Sequence, residues 1–177
     1  MLTFIAANLG YTKSPPAVAV MLKVYGVRPK GPLCNCGKRG CIETLAAGPA
    51  IARRARQKLS KNPESLIYEL AGGDPQAVTS QMVAKAYASR DEIAAEVMRE
   101  TLDLLAYWLG NIIDLLEPEV IVIGGGVSTM LAPLLNEIRD RWKGACLNPA
   151  PLDIPLVLAR YGEDAGIAGA AALCEFE

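Results

Sequence analysis

Three cysteines lie close together in the segment Cys34-Asn-Cys36-Gly37-Lys-Arg-Gly40-Cys41. Thiolates at this spacing favour a soft metal ion, and zinc is the occupant that this pattern predicts. The two glycines permit the turns of positive φ that three sulfurs need to face one point. Structural zinc takes four ligands, and the sequence indicates no fourth. The alternative is a glycine-rich turn that holds incidental buried thiols.

The other two cysteines, Cys146 and Cys174, stand singly and more than a hundred residues from the cluster. Isolated free cysteines behave mostly as small buried hydrophobes, so no chemistry is assigned to them. The odd total of five cysteines argues against a disulfide framework and favours a reducing compartment. The chain has no histidine, which excludes histidine-based acid–base catalysis, Ser-His-Asp triads and histidine-ligated metal within it.

A second candidate site is the run Val-Ile-Val-Ile-Gly124-Gly125-Gly126-Val127-Ser128. It places three glycines between a predicted buried strand and a predicted helix. Backbone N–H groups at such a turn can approach a phosphate, and the helix dipole favours an anion there. The turn is therefore a candidate nucleotide site. The alternative is that the glycines serve only the close packing of strand and helix.

These loops must be held by regular elements, and the patterning predicts both kinds. Pro49 marks the start of the first helix, and the predicted helices cover residues 46–59, 63–70, 78–88, 92–117, 128–142 and 164–173. Short apolar runs at residues 120–123 and 155–158 predict strands buried on both faces. Strands that alternate with helices indicate an α/β fold with a partly parallel sheet.

The longest predicted helix follows its capping residue Asp91 and ends before Pro118. Apolar residues recur along it at multiples of three to four positions. This spacing predicts a core-facing stripe with no cofactor role, made of Ile93, Val97, Leu104, Trp108, Ile112 and Leu115.

The charge balance limits the classes of partner. Eighteen basic and nineteen acidic residues give a net charge of −1, so the whole-molecule field does not attract nucleic acid or an anionic membrane. No apolar run approaches the roughly eighteen residues of a membrane helix, and the first residues lack the pattern of a cleavable leader. A cytoplasmic location is the expectation.

A cluster of basic residues, Arg53, Arg54, Arg56 and Lys58, falls in the first predicted helix. Charged residues at successive helix positions usually form a solvated face, and that is the prediction here. The alternative is a nucleic-acid patch.

The run Cys34-x-Cys36-Gly-x-x-Gly-Cys41-x-Glu43, followed by Leu45-Ala-Ala-Gly-Pro-Ala-Ile, resembles the signature of the ROK family of repressors, open reading frames and kinases. The resemblance implies the C-terminal lobe of the actin/hexokinase-type ATPase (ribonuclease H-like) fold, and it is nearest to glucokinases. It implies that the three cysteines bind zinc with an upstream histidine. It also implies that Glu43 contacts sugar hydroxyls, which suits a carboxylate because it accepts two hydrogen bonds at once.

The resemblance implies further roles along the chain. It divides residues 27–177 into a zinc loop (34–43), a helical segment (46–117) and a nucleotide-side α/β part (118–177). It implies ATP with Mg²⁺ as co-substrate, held against Gly124, Gly125, Gly126 and Val127. A homo-oligomer, a dimer, is also expected from it.

The sequence departs from the family pattern before residue 27. The family's histidine lies ten residues before the first cysteine, where this chain has Val24. The N-terminal Asp-x-Gly-Gly-Thr phosphate loop and the Asn-Asp pair with the catalytic aspartate have no counterpart here. Residues 1–26 are therefore expected to be an atypical segment, and the chain to be a truncated or frameshifted product without phosphoryl transfer of its own.

Three functions follow from the sequence. The first is the C-terminal lobe of an ATP-dependent sugar kinase. The second is the sugar-sensing domain of a ROK transcriptional repressor, although no helix-turn-helix precedes the cysteine loop. The third is a non-catalytic remnant that dimerises.

Overall fold

A computed structural model describes residues 5–6, 19–20, 28–60, 62–142, 146–147 and 154–160. The chain forms two compact units, one of residues 23–108 and one of residues 1–22 together with 109–177. None of the helices within these described ranges combines the length and the apolarity needed to cross a membrane.

The unit of residues 23–108 is helical. Its helices are α1 (Ile42–Ala46), α2 (Gly48–Leu59), α3 (Leu66–Leu70), α4 (Ser80–Ala88) and the first part of α5 (Glu92–Leu116). A short 3₁₀ turn at Pro75–Ala77 precedes α4. Small and branched apolar side chains form the core of this unit, and those without any exposed surface include Ala46, Ile51, Ala55, Ile67, Val83, Ala86, Ala94, Val97, Met98 and Leu102.

The helix predicted over residues 46–59 is in fact two helices. Ala47 is extended, with φ −71° and ψ 161°, and separates α1 from α2. The reason is Pro49, which has no N–H to donate to the carbonyl of Leu45 and so cannot continue α1. Pro49 lies instead in the first turn of α2, where a missing N–H costs nothing.

Asp91 caps two helices. Its Oδ1 accepts a hydrogen bond from the N–H of Ala94 at 2.7 Å, which confirms the predicted cap of α5. Its Oδ2 accepts from Ser65 Oγ at 2.9 Å and from the N–H of Leu66 at 2.8 Å. The helix predicted over residues 63–70 therefore starts later, at Leu66, because Ser65 and Asp91 together satisfy its first donors.

The other unit contains the strands. β1 (Ile5–Ala6) and β2 (Ala19–Val20) pair antiparallel, whereas β3 (Ile121–Ile123) and β4 (Leu156–Leu158) pair parallel. The parallel pair confirms the predicted strands and their orientation. Between them lie α6 (Ser128–Leu131), a 3₁₀ turn at Ala132–Leu134, and α7 (Leu135–Trp142), in place of one continuous helix over residues 128–142.

Two burial predictions are wrong. Leu115, assigned to the core stripe of α5, is 76% exposed, because it lies in the last turn of the helix and no described element covers it. Val157 and Leu158 were predicted in a strand buried on both faces, but they are 41% and 37% exposed, and Leu156 is the buried residue of β4. The helix predicted over residues 164–173 lies outside the described residues.

Candidate functional site

The cysteine loop is a tight hairpin built from backbone hydrogen bonds. Leu33 and Arg39 form an isolated antiparallel bridge. The N–H of Cys34 donates to the carbonyl of Lys38 at 2.7 Å, and the N–H of Gly37 donates back to the carbonyl of Cys34 at 2.9 Å. These backbone hydrogen bonds fix the direction of the cysteine side chains without the help of a metal ion.

Two glycines of the hairpin have left-handed backbone conformations, as the sequence predicted. Gly37 has φ +83° and Gly40 has φ +67°. A Cβ on Gly37 would meet nothing within 4 Å, but a Cβ on Gly40 would lie 1.8 Å from the carbonyl oxygen of Arg28. Gly40 therefore serves two purposes, because it supplies the turn and admits the backbone of Arg28 against the loop.

The hairpin brings the three thiols of Cys34, Cys36 and Cys41 together, with every pair of sulfurs within 4.8 Å. The Sγ atoms of Cys36 and Cys41 are 3.6 Å apart. Two sulfurs of a tetrahedral zinc site are separated by about 3.8 Å, given a Zn–S bond of about 2.3 Å. The three thiols thus fit the donor type and spacing of a zinc site, but among the described residues no fourth side chain joins them.

The three thiols differ in exposure. Cys34 and Cys41 are buried, and Cys36 is exposed. Burial raises the pKa of Cys41 to about 11, with further contributions from the neighbouring Cys36 and Cys34. Without a metal ion, Cys41 therefore remains a protonated thiol at neutral pH.

We expect the exposed thiol to be alkylated first. In metal-free protein at pH 8, iodoacetamide should modify Cys36 well before Cys41, because a thiol with a pKa of about 11 is about 0.1% thiolate at that pH and is also buried. Mass spectrometry of tryptic peptides against time measures the order. Equal rates at the two cysteines would contradict the loop geometry.

Glu43 follows the loop directly, as the second residue of α1. Cys41 is the N-cap of this helix, and Thr44 Oγ1 donates to the carbonyl of Cys41 at 2.8 Å. Glu43 is half-buried and is not a member of the thiol cluster. The hairpin therefore sets the position of Glu43 through the first turn of α1.

Two arginines of α2 hold the other end of α1. Arg53 Nη2 donates to the carbonyl of Thr44 at 2.6 Å, and Arg54 donates to the carbonyl of Leu45. These carbonyls have no helical partner because α1 stops at Ala46 ahead of Pro49. This role of the two arginines was not predicted from the sequence, although Pro49 was a signal that carbonyls before it would need other donors.

Arg54 also joins α2 to α5. It donates to Oγ1 of Thr101, a fully buried residue, and its Nε lies 3.5 Å from a carboxylate oxygen of Glu100. Burial lowers the pKa of Arg54, and the charge of Glu100 opposes that shift. The half-buried guanidinium thus links three helices, α1, α2 and α5.

The remaining basic residues of α2 are also engaged within the chain. Arg56 donates to the carbonyl of Val78 at 2.9 Å, and Lys58 Nζ lies 2.6 Å from Glu96 and 2.8 Å from Glu100. All four basic residues are half-buried, so the predicted solvated face is only partly exposed, and these contacts also leave little of the cluster for nucleic acid. Charged residues of α2 and α5 instead line a cavity of about 890 Å³.

The glycine turn lies in the other unit, after β3. Gly125 has φ +92°, and its carbonyl accepts from the N–H of Ser128 at 2.9 Å and from its Oγ at 2.7 Å. Gly124 is buried, and a Cβ there would lie 3.0 Å from the Cβ of Ala159. Close packing of β3 against the chain after β4 thus explains Gly124, while the turn conformation explains Gly125.

Cys146 does not join the thiol cluster found among the described residues. Cys146 is partly exposed, and burial together with the charge of Asp114 raises its pKa. Asp114 also accepts the N–H of Leu147 with both carboxylate oxygens, at 3.0 and 3.1 Å. Cys174 lies outside the described residues.

Comparison with known proteins identifies relatives of this chain. The ROK family model matches residues 5–177, which extends beyond the motifs recognised from residue 27 onward. A glucokinase of Thermotoga maritima is 34% identical over 147 residues, which are 83% of this chain and 46% of that protein. The ROK family glucokinase of Streptomyces griseus, solved in complex with glucose and AMPPNP, matches with a TM-score of 0.78 and 29% identity, covering 89% of this chain and 51% of that one.

A protein of a different class has a similar structure. A ROK family transcriptional regulator, a homolog of the E. coli MLC protein, matches with a TM-score of 0.70 and 25% identity over 87% of this chain and 38% of its own. The fold is thus shared by a kinase and a regulator.

These likenesses define an α/β fold of the actin/hexokinase-like class. The chain belongs to the ROK family, and its relatives include glucokinases and other ROK sugar kinases. It spans about half the length of the curated relatives it matches. The division at residues 26 and 27 remains a prediction.

Proposed function

We propose that this chain is the C-terminal lobe of an ATP-dependent sugar kinase of the glucokinase type, which transfers a phosphoryl group to a hexose hydroxyl. The observation that carries the proposal is the likeness to glucokinases, at 34% identity in sequence and at a TM-score of 0.78 to a structure containing glucose and AMPPNP. ATP, with Mg²⁺ neutralising its phosphates, is the co-substrate that this likeness favours.

The sugar role falls to Glu43. Glu43 directly follows a hairpin that is held by backbone hydrogen bonds. Hydrogen bonds also hold both ends of its helix, which supports a carboxylate of fixed direction. Preorganised groups of this kind bind hydroxyls without losing conformational entropy on binding. A metal bound by Cys34, Cys36 and Cys41 would make the hairpin stiffer still, and zinc is the ion we propose.

The nucleotide role falls to Gly124, Gly125, Gly126 and Val127. The left-handed conformation of Gly125 produces a tight turn in which backbone N–H groups can face a phosphate. In the family pattern the catalytic aspartate lies upstream of the cysteine loop. In this chain no acidic residue precedes Glu43, so we assign no catalytic aspartate to it. This chain therefore contributes binding groups to phosphoryl transfer, and the general base must come from elsewhere.

Calorimetric titration of the full chain tests the two roles separately. We expect AMPPNP to bind with a stoichiometry of one, and Gly125→Val to weaken it about tenfold or more, because a β-branched residue is strained at φ +92°. We expect Glu43→Gln to weaken glucose binding by about ten- to a hundredfold, since a hydrogen bond to a charged group is worth about 1.5–3 kcal/mol. Each variant should leave the other ligand's affinity unchanged. Absence of nucleotide binding in the parent chain would refute the kinase assignment.

A second candidate is the sugar-sensing domain of a transcriptional regulator, favoured by the likeness to the ROK regulator. It predicts sugar binding without nucleotide binding, so the same titrations separate the two functions. A non-catalytic dimerising role predicts oligomers with neither affinity, which analytical ultracentrifugation would reveal. We further propose a homodimer and a cytoplasmic location, the latter supported by the reduced state of the described cysteines, none of which forms a disulfide.

A further inference from the structure

Two thiols of the cysteine loop are in position to react with each other. The Sγ atoms of Cys36 and Cys41 are 3.6 Å apart. A disulfide bond is about 2.05 Å long, so the two sulfurs need to approach by only about 1.5 Å. An accessible thiol beside a second thiol is the usual arrangement of redox-sensitive cysteines. The geometry of the loop thus suits a reversible oxidation in addition to metal binding.

Exposure and sequence spacing select the pair that reacts. Cys36 is exposed, whereas Cys34 and Cys41 retain 4% and 1% of their surface, so an oxidant in solution reaches Cys36 first. A disulfide between Cys34 and Cys36 would close a ring over a single intervening residue, which strains the bond. Cys36 and Cys41 are separated by four residues. Cys41 is therefore the partner of Cys36.

The backbone of the hairpin permits the approach from the side of Cys36. Gly37, the next residue, has φ +83° and open surroundings, because a Cβ there would meet nothing within 4 Å. Gly40, which precedes Cys41, is packed against the carbonyl of Arg28, and Cys41 itself is the N-cap of α1. Closure of the disulfide therefore moves the Cys36 end of the hairpin and leaves Cys41 and α1 in place.

We propose that Cys36 and Cys41 are a modification site, at which hydrogen peroxide converts the two thiols into a disulfide and leaves Cys34 as a free thiol. The thiolate of Cys36 attacks one peroxide oxygen, which gives a sulfenic acid on Cys36 and releases the other oxygen as water. The thiol of Cys41 then displaces the sulfenic oxygen as a second water while the S–S bond forms. Two electrons pass from the two sulfurs to one peroxide molecule, and a thiol reductant reverses the reaction.

Oxidation has a consequence for the metal role proposed for the loop. The disulfide removes two of the three sulfurs that we assign to zinc, and the single thiolate of Cys34 is not enough to hold the ion. The loop would then change between a metal-binding reduced state and a metal-free oxidised state. This consequence rests on the proposed metal role, whereas the disulfide itself does not.

Peptide mapping of the full, metal-free chain tests the disulfide. The chain is treated with one equivalent of hydrogen peroxide at pH 8 and digested with trypsin without reduction. Lys38 and Arg39 lie between the two cysteines, so trypsin separates the Cys36 peptide from the Cys41 peptide unless a disulfide joins them. We expect the joined peptide, a loss of two free thiols per chain, and recovery of both thiols with dithiothreitol.

Cys34→Ser is the matched control for Cys36→Ser. Cys34→Ser should form the joined peptide at a rate within about twofold of the parent chain, whereas Cys36→Ser should lose the accessible thiol and react at least about tenfold more slowly. Circular dichroism checks that both variants are folded. Zinc binding is measured on the parent chain, where the reduced form should bind the ion and the oxidised form should not.

Three results would overturn the proposal. The first is a disulfide that joins the two peptides through Cys34, as assigned by fragmentation of the joined peptide. The second is oxidation of Cys36 to a sulfinic acid without any cross-link. The third is a disulfide from Cys36 to Cys146 or Cys174. Failure of the reduced chain to bind zinc would remove the consequence for the metal, and failure of AMPPNP to bind would refute only the kinase assignment.

Discussion

Replacing Gly40 with alanine is expected to disrupt the cysteine loop and to lower the free energy of unfolding by about 2–5 kcal/mol, the sum of a left-handed conformation and an overpacked contact. The new Cβ would lie 1.8 Å from the backbone carbonyl oxygen of Arg28, so no side-chain rotation could relieve the contact. The backbone of Arg28 would have to move, breaking its hydrogen bond from the N–H of Gly31 at 2.7 Å. Urea unfolding followed by circular dichroism measures the loss.

Gly37→Ala is the matched control for this experiment. Gly37 shares the hairpin and a positive φ of +83°, but a Cβ there would meet nothing within 4 Å. Gly37→Ala should therefore lower the free energy of unfolding only by the cost of the left-handed conformation, about 1–2 kcal/mol. Zinc content measured on both variants should fall much further for Gly40→Ala. Equal losses of stability would mean that the approach of Arg28 does not support the loop.

Replacing Arg54 with methionine is expected to lower the free energy of unfolding by about 2–4 kcal/mol. The change leaves the carbonyl of Leu45 without the donor that replaces its helical partner, and it removes the donor to the buried Thr101. A buried carbonyl left without a donor costs about 1–3 kcal/mol, and the lost bond to Thr101 adds about 1 kcal/mol, because the Thr101 hydroxyl still donates to the carbonyl of Val97. Methionine keeps the apolar part of the packing. The measurement is again urea unfolding, with glucose affinity as a second readout, because α1 carries Glu43.

Arg56→Met provides the comparison. Arg56 lies two residues further along α2 and donates to the carbonyl of Val78 at 2.9 Å. A single hydrogen bond of this kind contributes about 1 kcal/mol. Arg56→Met should therefore cost less and leave glucose binding unchanged. If the two variants lost the same stability and the same glucose affinity, the role of Arg54 as the anchor of α1 would be refuted.

Features controlled by neighbours in the sequence could be predicted. The positive φ of Gly37 and Gly40 follows from glycine's missing Cβ, and the sequence pattern around them located the turn. The glycine run after the predicted strand also located the turn at Gly125, but not its backbone conformation. Three cysteines within eight residues can converge through one hairpin, so the cluster was also predictable. The parallel strands near residues 121 and 156 followed from short β-branched runs flanked by helical patterns.

Features that depend on distant parts of the chain could not be predicted. The second capping role of Asp91 joins residues separated by 25 and 26 positions. The exposure of Leu115 depends on which elements lie over the end of α5, and helical periodicity does not contain that information. The exposed faces of Val157 and Leu158 have the same origin, since a β-branched run indicates a strand but not what covers it.

The basic cluster of α2 shows both a feature that depends on neighbours in the sequence and one that depends on distant contacts. Pro49 has no N–H for the carbonyl of Leu45, so a break in the helix at this point follows from the sequence alone, although the sequence pattern indicated one helix over residues 46–59. The donors that satisfy the freed carbonyls depend on how the chain folds, because Arg53 and Arg54 reach the carbonyls of Thr44 and Leu45 across the break between α1 and α2. From sequence, an arginine on a helix face is expected to be exposed to solvent. It takes a structural role only when folding brings a carbonyl without a donor within hydrogen-bond distance of its guanidinium.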